Sequence, residues 1–505
     1  MSSIALYPKE EQLAGRERIV FNSYLITALV VFLLMMVFGL VMRLAQGVWL
    51  NVPPNVFYEL MTAHGAGMVG TMGLASSAVM WFFLRKYVRL SVSIFATNLV
   101  LFLIGAILIL ASVFAGGYAG AWTFLYPLPV HSMGIWSINA AVAFMLGYIV
   151  IGVGFLLFYL DAMLAVIRVY GNLGRALGLQ WLFGGEIDPT HPKAVVASTM
   201  VMITNSIGTL AGAVVLVMCI INAYAPSVVL NALLVKNLTY LFGHMFINAT
   251  IYMAVIAVYE LLPRYTGRPY GISRVFLWSW AASTIMVLIV YPHHLMMDYV
   301  MPHWMLVMGQ IVSYCAGFPV FLVTAYGVLT NIYRSQIRWK MPAKLIVLSV
   351  YGWAAGIVPA IIDGTITVNK VMHNTQWVPG HFHFYLLLGV LPMILALMFH
   401  VIGTRSPAPD TRTDRISFPV YVIGGLAFVT AFLAAGHVSV ARRYAVHLPQ
   451  WVPYDQWGSV AAMLVIAAML LFAGRIIIGL LRTPAAITLG DVGAAADARS
   501  SHPTG

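Results

Sequence analysis

The sequence predicts an all-α fold: a polytopic membrane helix bundle of about twelve transmembrane helices. Three observations predict it. Of its 505 residues, 61% are hydrophobic and only 8% charged, against roughly 25% charged in soluble domains, so an ordinary water-exposed surface cannot be built from this chain. Apolar runs of about 20 residues recur along almost the whole length, each long enough to cross a bilayer as a helix. Arginine and lysine, finally, cluster in alternate connections between those runs.

In order, the runs predict helices at 20–45, 58–84, 90–115, 134–160, 195–222, 232–262, 272–293, 303–331, 344–363, 376–403, 416–436 and 455–482. The segment Met1–Arg18 is polar and short, and the first apolar run, Val20–Val41, is long enough to span, so no cleavable signal is read here. The expected organisation is a cytoplasmic segment 1–19, a transmembrane domain 20–482 and a cytoplasmic tail 483–505.

With the N-terminus placed in the cytoplasm, the interior loops hold Arg85, Lys86 and Arg89; Arg264, Arg268 and Arg274; Arg334, Arg338, Lys340 and Lys344; and Arg405, Arg412 and Arg415. The exterior loops are nearly free of such residues, apart from Lys370 and the pair Arg442–Arg443. This asymmetry follows the positive-inside rule and predicts an integral protein of a bacterial- or archaeal-type inner membrane with both termini cytoplasmic. The formal net charge of +12 is therefore spent on topology, and no nucleic-acid partner is inferred from it. Cys219 and Cys315 lie far apart in apolar segments, offering neither a disulfide framework nor a Cys-x-x-Cys site. Any bound metal is held through nitrogen.

Coordinating side chains at membrane depth are costly, and each is by default a functional candidate. Six histidines qualify: His64 in the second span, His244 in the sixth, His293 and His294 closing the seventh, and His381 and His383 opening the tenth. A single buried histidine is commonly a satisfied packing residue. Topology, assigned without reference to these six, brings them all to one depth range near the outer face. At about 100° per residue, His381 and His383 point roughly 200° apart, so one helix can offer a ligand on each of two faces. His293 and His294 follow Pro292, and with a third imidazole they form a three-nitrogen site suited to copper, iron or zinc. Hard cations are disfavoured because carboxylates at membrane depth are few: Glu59, Asp161, Glu260, Asp298 and Asp363. Arg442 and Arg443, paired on a charge-poor outer surface, suit carboxylate binding, with an outer-leaflet anchor as the plainer alternative.

The segment His373-Asn374-Thr375-Gln376-Trp377-Val378-Pro379-Gly380-His381-Phe382-His383 resembles the tenth-helix motif of subunit I of the haem–copper oxidases, particularly their B-type branch. Gly243-His244, Pro292-His293-His294, His64 and the Arg442–Arg443 pair complete that family's pattern in order across essentially all twelve spans. The resemblance implies that His64 and His383 are axial ligands of a low-spin haem and that His381 is the proximal ligand of a high-spin haem. It further implies that His244, His293 and His294 hold the facing metal, copper by preference and non-haem iron as the alternative. Phe382 would lie on the electron path between haems, and Arg442, Arg443, His373, Asn374 and Trp377 would surround the propionates. A subunit II-like electron-entry protein at the outer face, fed by a soluble donor such as cytochrome c or a cupredoxin, is the implied partner. The lipid bilayer and a small gas complete the surroundings.

One position departs from the oxygen-reducing branches. In A- and B-type oxidases a tyrosine follows the helix-six histidine by four residues, is cross-linked to it, and gives an electron and a proton when the O–O bond breaks. Here that position is Asn248. The C-type branch takes its tyrosine from helix seven, where this chain has Val287; Tyr252 and Tyr291 lack the family spacing. The eighth helix keeps Thr324 but is mostly apolar where B-type enzymes carry a polar channel. Asparagine cannot give up a hydrogen atom, and reducing two NO to N2O needs only two electrons, so NO reduction is the expected activity. NO reductases of this superfamily carry glutamates beside non-haem iron, but the nearest on this helix, Glu260, lies about four turns inward, which favours copper. The alternatives are a cytochrome c oxidase reducing O2 to water, with or without proton translocation, through Tyr252 or without a tyrosine, and a transporter or sensor with structural histidines. A reduced-minus-oxidised haem spectrum separates the last from either enzyme.

Overall fold

The computed structural model describes residue 13 and residues 15–123, 130–405 and 410–482, and these contain twelve helices long and apolar enough to cross a membrane. They are α1 Gly15–Gln46, α2 Pro54–Leu84, α3 Val92–Phe114, α4 Ile138–Tyr170, α5 Lys193–Tyr224 and α6 Ala232–Thr266. There follow α7 Arg274–Leu295, α8 His303–Ile332, α9 Met341–Asp363, α10 Trp377–Thr404, α11 Arg412–His437 and α12 Val452–Leu481. The tail expected at 483–505 and most of the segment expected at 1–19 lie outside the described residues. Among those described, the one β-type pairing is an isolated antiparallel bridge, Thr375 to Ala441. The all-α expectation therefore holds, helix by helix.

Polar residues at the membrane boundaries start the helices. Ser91, Ser137, Asn231 and Ser273 each accept the backbone N–H three residues ahead, satisfying a donor that the first turn leaves open. Thr411 and Asp414 form a reciprocal capping box at the head of α11. The largest departure from the sequence boundaries is at α4, expected to end near 160 but continuing to Tyr170. Its first internal charge, Asp161, is accommodated because it accepts the backbone N–H of Ser91 at 2.9 Å. The helix stops instead at Gly171, whose φ of 85° a side chain would strain.

Burial ranks the helices. In its most apolar stretch α10 is 94% buried, whereas α8 is 22% buried, so α10 forms the axis of the bundle and α8 lies at its periphery. Just below its two histidines α10 widens into a π-helical turn, Phe384–Val390. Such turns leave carbonyls outside the regular ladder, and they concentrate at functional sites. The Tyr421 hydroxyl of α11 donates to the Leu387 carbonyl. On the other side Gly352 of α9 lies against Leu388, where any Cβ would collide with the carbonyl oxygen. One partner hydrogen-bonds the wide turn and the other makes room for it.

Candidate functional site

The three-histidine cluster is built from α6 and the end of α7. Pro292 cannot continue the α-helical ladder, and the chain tightens into a 3-10 segment, Tyr291–Leu295, that turns both following imidazoles inward. His294 Nε2 stands 3.0 Å from His244 Nδ1 and 3.0 Å from His293 Nε2. Nitrogens bound to one metal at roughly 2 Å are themselves about 3 Å apart, so this convergence matches a common metal ion. No carboxylate belongs to the cluster, and an all-imidazole set suits copper, zinc or iron. The Tyr240 ring stacks on His294 at 5.3 Å and 15°, and the Tyr291 hydroxyl donates to Asn237 at 3.0 Å, anchoring the 3-10 turn to α6.

His64 and His383 share one feature. Each has its Nδ1 against a backbone carbonyl, Met35 at 2.6 Å and Pro379 at 2.7 Å, which sets the tautomer and leaves Nε2 free for a ligand. α1 approaches His64 through Gly39, where an added Cβ would come within 2.8 Å of the ring. His383 is fixed by Phe432, stacked at 5.2 Å and 12°, and by Phe428, edge-on at 5.3 Å. His381, two residues earlier on α10, has a buried Nδ1 without a hydrogen-bond partner. Phe382 lies between the two histidines, with Trp122 stacked 6.5 Å away at 24°.

All six histidines line one cavity of about 510 Å³, together with Phe382, Asn248, Arg442 and Arg443. At one end of the cavity His373 Nδ1 lies 3.4 Å from Asp363, Arg442 donates to Asn374 Oδ1 at 3.3 Å, and the Arg442 backbone N–H donates to the Asn374 carbonyl. Burial, with Arg443 next to it, pushes the Arg442 guanidinium down to about 10. Its Nε is buried without a hydrogen bond. A desolvated cation with an orphaned donor is the counterpart an anionic carboxylate requires. Two of the expected residues do not line the cavity: Asn374 is exposed, and Trp377 donates its indole N–H to the Pro359 carbonyl at 3.0 Å.

The amide of Asn248 is 2.7 Å from His244 Nε2 and donates to the His244 carbonyl at 3.0 Å. Tyr252, one further turn along, also lines the cavity and is almost fully buried. Sequence reasoning missed Tyr240, Gln376 and the cavity-facing position of Asp363. Tyr240 precedes His244 by four residues, so the helical period was the available signal. Gln376, buried with an unpartnered Oε1, carried none.

The donor set fits two haems and a copper ion: two imidazoles with Nε2 released, a third with an unpartnered buried nitrogen, three converging nitrogens and an uncompensated guanidinium. Residues 19–470 match the family model described as cytochrome c and quinol oxidase polypeptide I. The chain is 23% identical over 457 residues to a heme-copper oxidase subunit I+III of Aeropyrum pernix, covering 84% of this chain and 51% of that one. It thus spans about half the length of that relative. Against a quinol oxidase subunit 1 of Sulfolobus acidocaldarius it is 23% identical over 431 residues, 83% of this chain and 80% of the other. A cytochrome c oxidase subunit 1 of Thermus thermophilus is 22% identical over 345 residues, 62% of this chain and 60% of that one. In fold, the chain superposes on a heme-copper terminal oxidase dimer solved by cryo-electron microscopy, with a TM-score of 0.77 at 18% identity, covering 94% of this chain and 86% of that one.

Proposed function

The chain belongs to the cytochrome c and quinol oxidase polypeptide I family, the subunit I of haem–copper oxidases, and from that premise we propose that it is the catalytic subunit of a respiratory complex that reduces NO to N2O. The observation that carries this reading is Asn248 against His244 Nε2, at the position where the resemblance calls for a tyrosine. Reducing O2 to two waters takes four electrons and four protons, and cleaving its bond promptly at one site calls for a hydrogen-atom donor. An amide is not one. Coupling two NO takes two electrons and two protons and yields N2O and water, which asks for no such donor.

In this account His64 and His383 hold the low-spin haem, His381 the high-spin haem, and His244, His293 and His294 a copper ion facing it. When bound, the haem iron and copper supply the two electrons and the positions at which the gas is reduced. The protein does the rest. The carbonyls of Met35 and Pro379 keep the proton of His64 and His383 on Nδ1 and the ring planes fixed. A metal held by Nδ1 of His244 would leave the ring's remaining proton on Nε2, and Asn248 would orient the ring by turning its amide so that Oδ1 accepts that proton. Arg442 and Arg443 neutralise propionates at the outer end. Phe382 fills the gap between the haems' histidines. Electrons arrive from a subunit II-like partner supplied by a soluble cytochrome c or cupredoxin, and the termini lie on the cytoplasmic side.

A second reading, O2 reduction, is favoured by one observation: Tyr252 lines the same cavity, two turns from His244 on one helix. Turnover of the purified complex with each gas separates the two. The NO reading expects N2O formation with slow O2 consumption, and the O2 reading expects the reverse.

A further inference from the structure

A buried charged cluster that holds no cofactor lies where the last turn of α1 meets the first turn of α12. Arg43 on α1 is 4% exposed and Asp455 on α12 is fully buried, and their side chains pair at 3.0 Å. Gly458, one turn past Asp455, makes the space: a Cβ there would come within 2.8 Å of the Arg43 guanidinium. The second oxygen of Asp455 lies 2.6 Å from His447 Nδ1, and the His447 side chain is itself fully buried. His447 belongs to the connection between α11 and α12 that also carries Arg442 and Arg443.

Donors and acceptors fix the form of His447. A carboxylate only accepts, so Nδ1 carries a proton. Gln46 is oriented from both ends: its Oε1 accepts from Arg43 Nη1 at 2.9 Å, and its Nε2 donates to the Tyr444 carbonyl at 2.8 Å. A guanidinium only donates and a carbonyl only accepts, so that amide has one orientation. The same Nε2 faces His447 Nε2 at 3.3 Å, where its second hydrogen needs a lone pair. His447 is therefore the neutral tautomer, with Nε2 the position open to a proton. A proton there would set two donors face to face, and the Gln46 amide would have to turn over, giving up both Arg43 and Tyr444.

One ring joins this cluster to the haem site. Arg43 Cζ lies 4.6 Å from the centre of Phe432, and Phe432 stacks on His383 at 5.2 Å and 12°. Arg43 and Gln46 also line the large cavity. Arg43 and Asp455 cancel in charge, so a proton on His447 Nε2 would add one net positive charge in a desolvated place. Positive charge there favours the reduced form of a haem held by His383. The coupling is reciprocal, so an added electron favours the proton.

We propose that His447 is a proton acceptor coupled to the low-spin haem. As that haem takes an electron from the donor, His447 Nε2 takes a proton from solvent, and the Gln46 amide turns so that Oε1 accepts the new N–H. Reoxidation returns the proton to solvent. The proposal rests on the assignment of the low-spin haem to His64 and His383. The charged groups about the imidazole are Asp455 from α12 and, behind it, Arg43 from α1. Gln46 and Trp451, whose ring lies edge-on at 5.8 Å, carry no charge.

The test is a redox titration of the low-spin haem in the complete complex, followed at its own absorbance band from about pH 5 to about pH 8, where an imidazole changes charge. The midpoint potential is expected to fall as pH rises, because the protonated state that favours the electron is lost. Asp363, His373 and the propionates are ionisable groups of the same cavity, so the deciding quantity is the part of the fall that a variant removes. His447→Asn, whose amide nitrogen can stand in for Nδ1 against Asp455, is expected to flatten the profile. In Gln46→Leu the donor that opposes the proton is gone, and the fall moves to higher pH. His437→Asn, at an exposed position ending α11, keeps the unaltered profile. Identical profiles in His447→Asn and the unaltered protein overturn the proposal. If His447→Asn retains no haem, an unmoved profile in Gln46→Leu overturns it instead. A complex without any low-spin haem signal would sink the ligand assignment rather than the role of His447.

Discussion

Asn248 and His244 face each other across one turn of α6, amide to Nε2 at 2.7 Å, on the side of the imidazole away from His294. A group here that fixes a ligand's ring acts on the metal without touching it. Losing such a partner typically costs roughly 10–100-fold in metal affinity or activity. Asn248→Leu is therefore expected to weaken copper retention and NO turnover by about that factor, while both haem signals persist. Metal analysis after dialysis against a chelator, alongside the haem spectrum, measures it. Unchanged copper content would remove the orienting role from Asn248.

The three imidazoles at the end of α7 and on α6 are expected to hold the copper alone. In His293→Ala the copper should vanish while both the low-spin and the high-spin haem bands remain. Combined metal analysis and optical spectroscopy test this, and loss of the high-spin haem together with the copper would contradict the division of ligands.

The remaining three histidines divide the haems. His64→Ala or His383→Ala should each delete the low-spin component from the reduced-minus-oxidised spectrum, and His381→Ala the high-spin component. Because His381 and His383 are two residues apart, a helix that merely unravelled on substitution would lose both signals at once. Selective loss is the expected result.

Gly352 makes room for the wide turn of α10 at Leu388, and filling that space should be felt at the cofactors above it. Gly352→Ala is expected to cost about 1–3 kcal/mol, the usual range for overpacking, and to lower Tm and haem occupancy together. Thermal unfolding followed by haem absorbance reads both. A substitution without effect would mean that α9 and α10 can separate at no cost.

Arg442 is half-buried, with its Nε buried and without a hydrogen bond. Arg442→Leu removes a countercharge for a propionate and is expected to lower the midpoint potential of the neighbouring haem, since the uncompensated carboxylate stabilises the oxidised iron. Redox titration of the complex detects the shift, and an unchanged potential would assign Arg442 to the outer surface alone.

Much of this was legible in the sequence because membranes impose strict rules. Apolar runs mark helices, and the distribution of Arg and Lys marks sides, so the depth of His64, His244, His293, His294, His381 and His383 followed before any geometry. Helical period separated His381 from His383. Local chemistry that depends on a neighbouring helix was not legible. Nothing around Asp161 signals that Ser91 would satisfy it and let α4 run on to Tyr170. Trp377 lies within the segment expected to surround the propionates, but the Pro359 carbonyl on α9 accepts its indole N–H and it does not line the cavity. The π turn at Phe384–Val390 depends on a hydroxyl from Tyr421 and a missing side chain at Gly352, contributions from two other helices.

The central claim is that the site reduces NO. Its most direct test is turnover of the purified complex, with a reduced cytochrome c or cupredoxin donor, supplied separately with NO and with O2. The account predicts N2O formation with one electron consumed per NO, and O2 consumption far below the rate of a terminal oxidase. Rapid four-electron reduction of O2 to water with negligible NO turnover would contradict it.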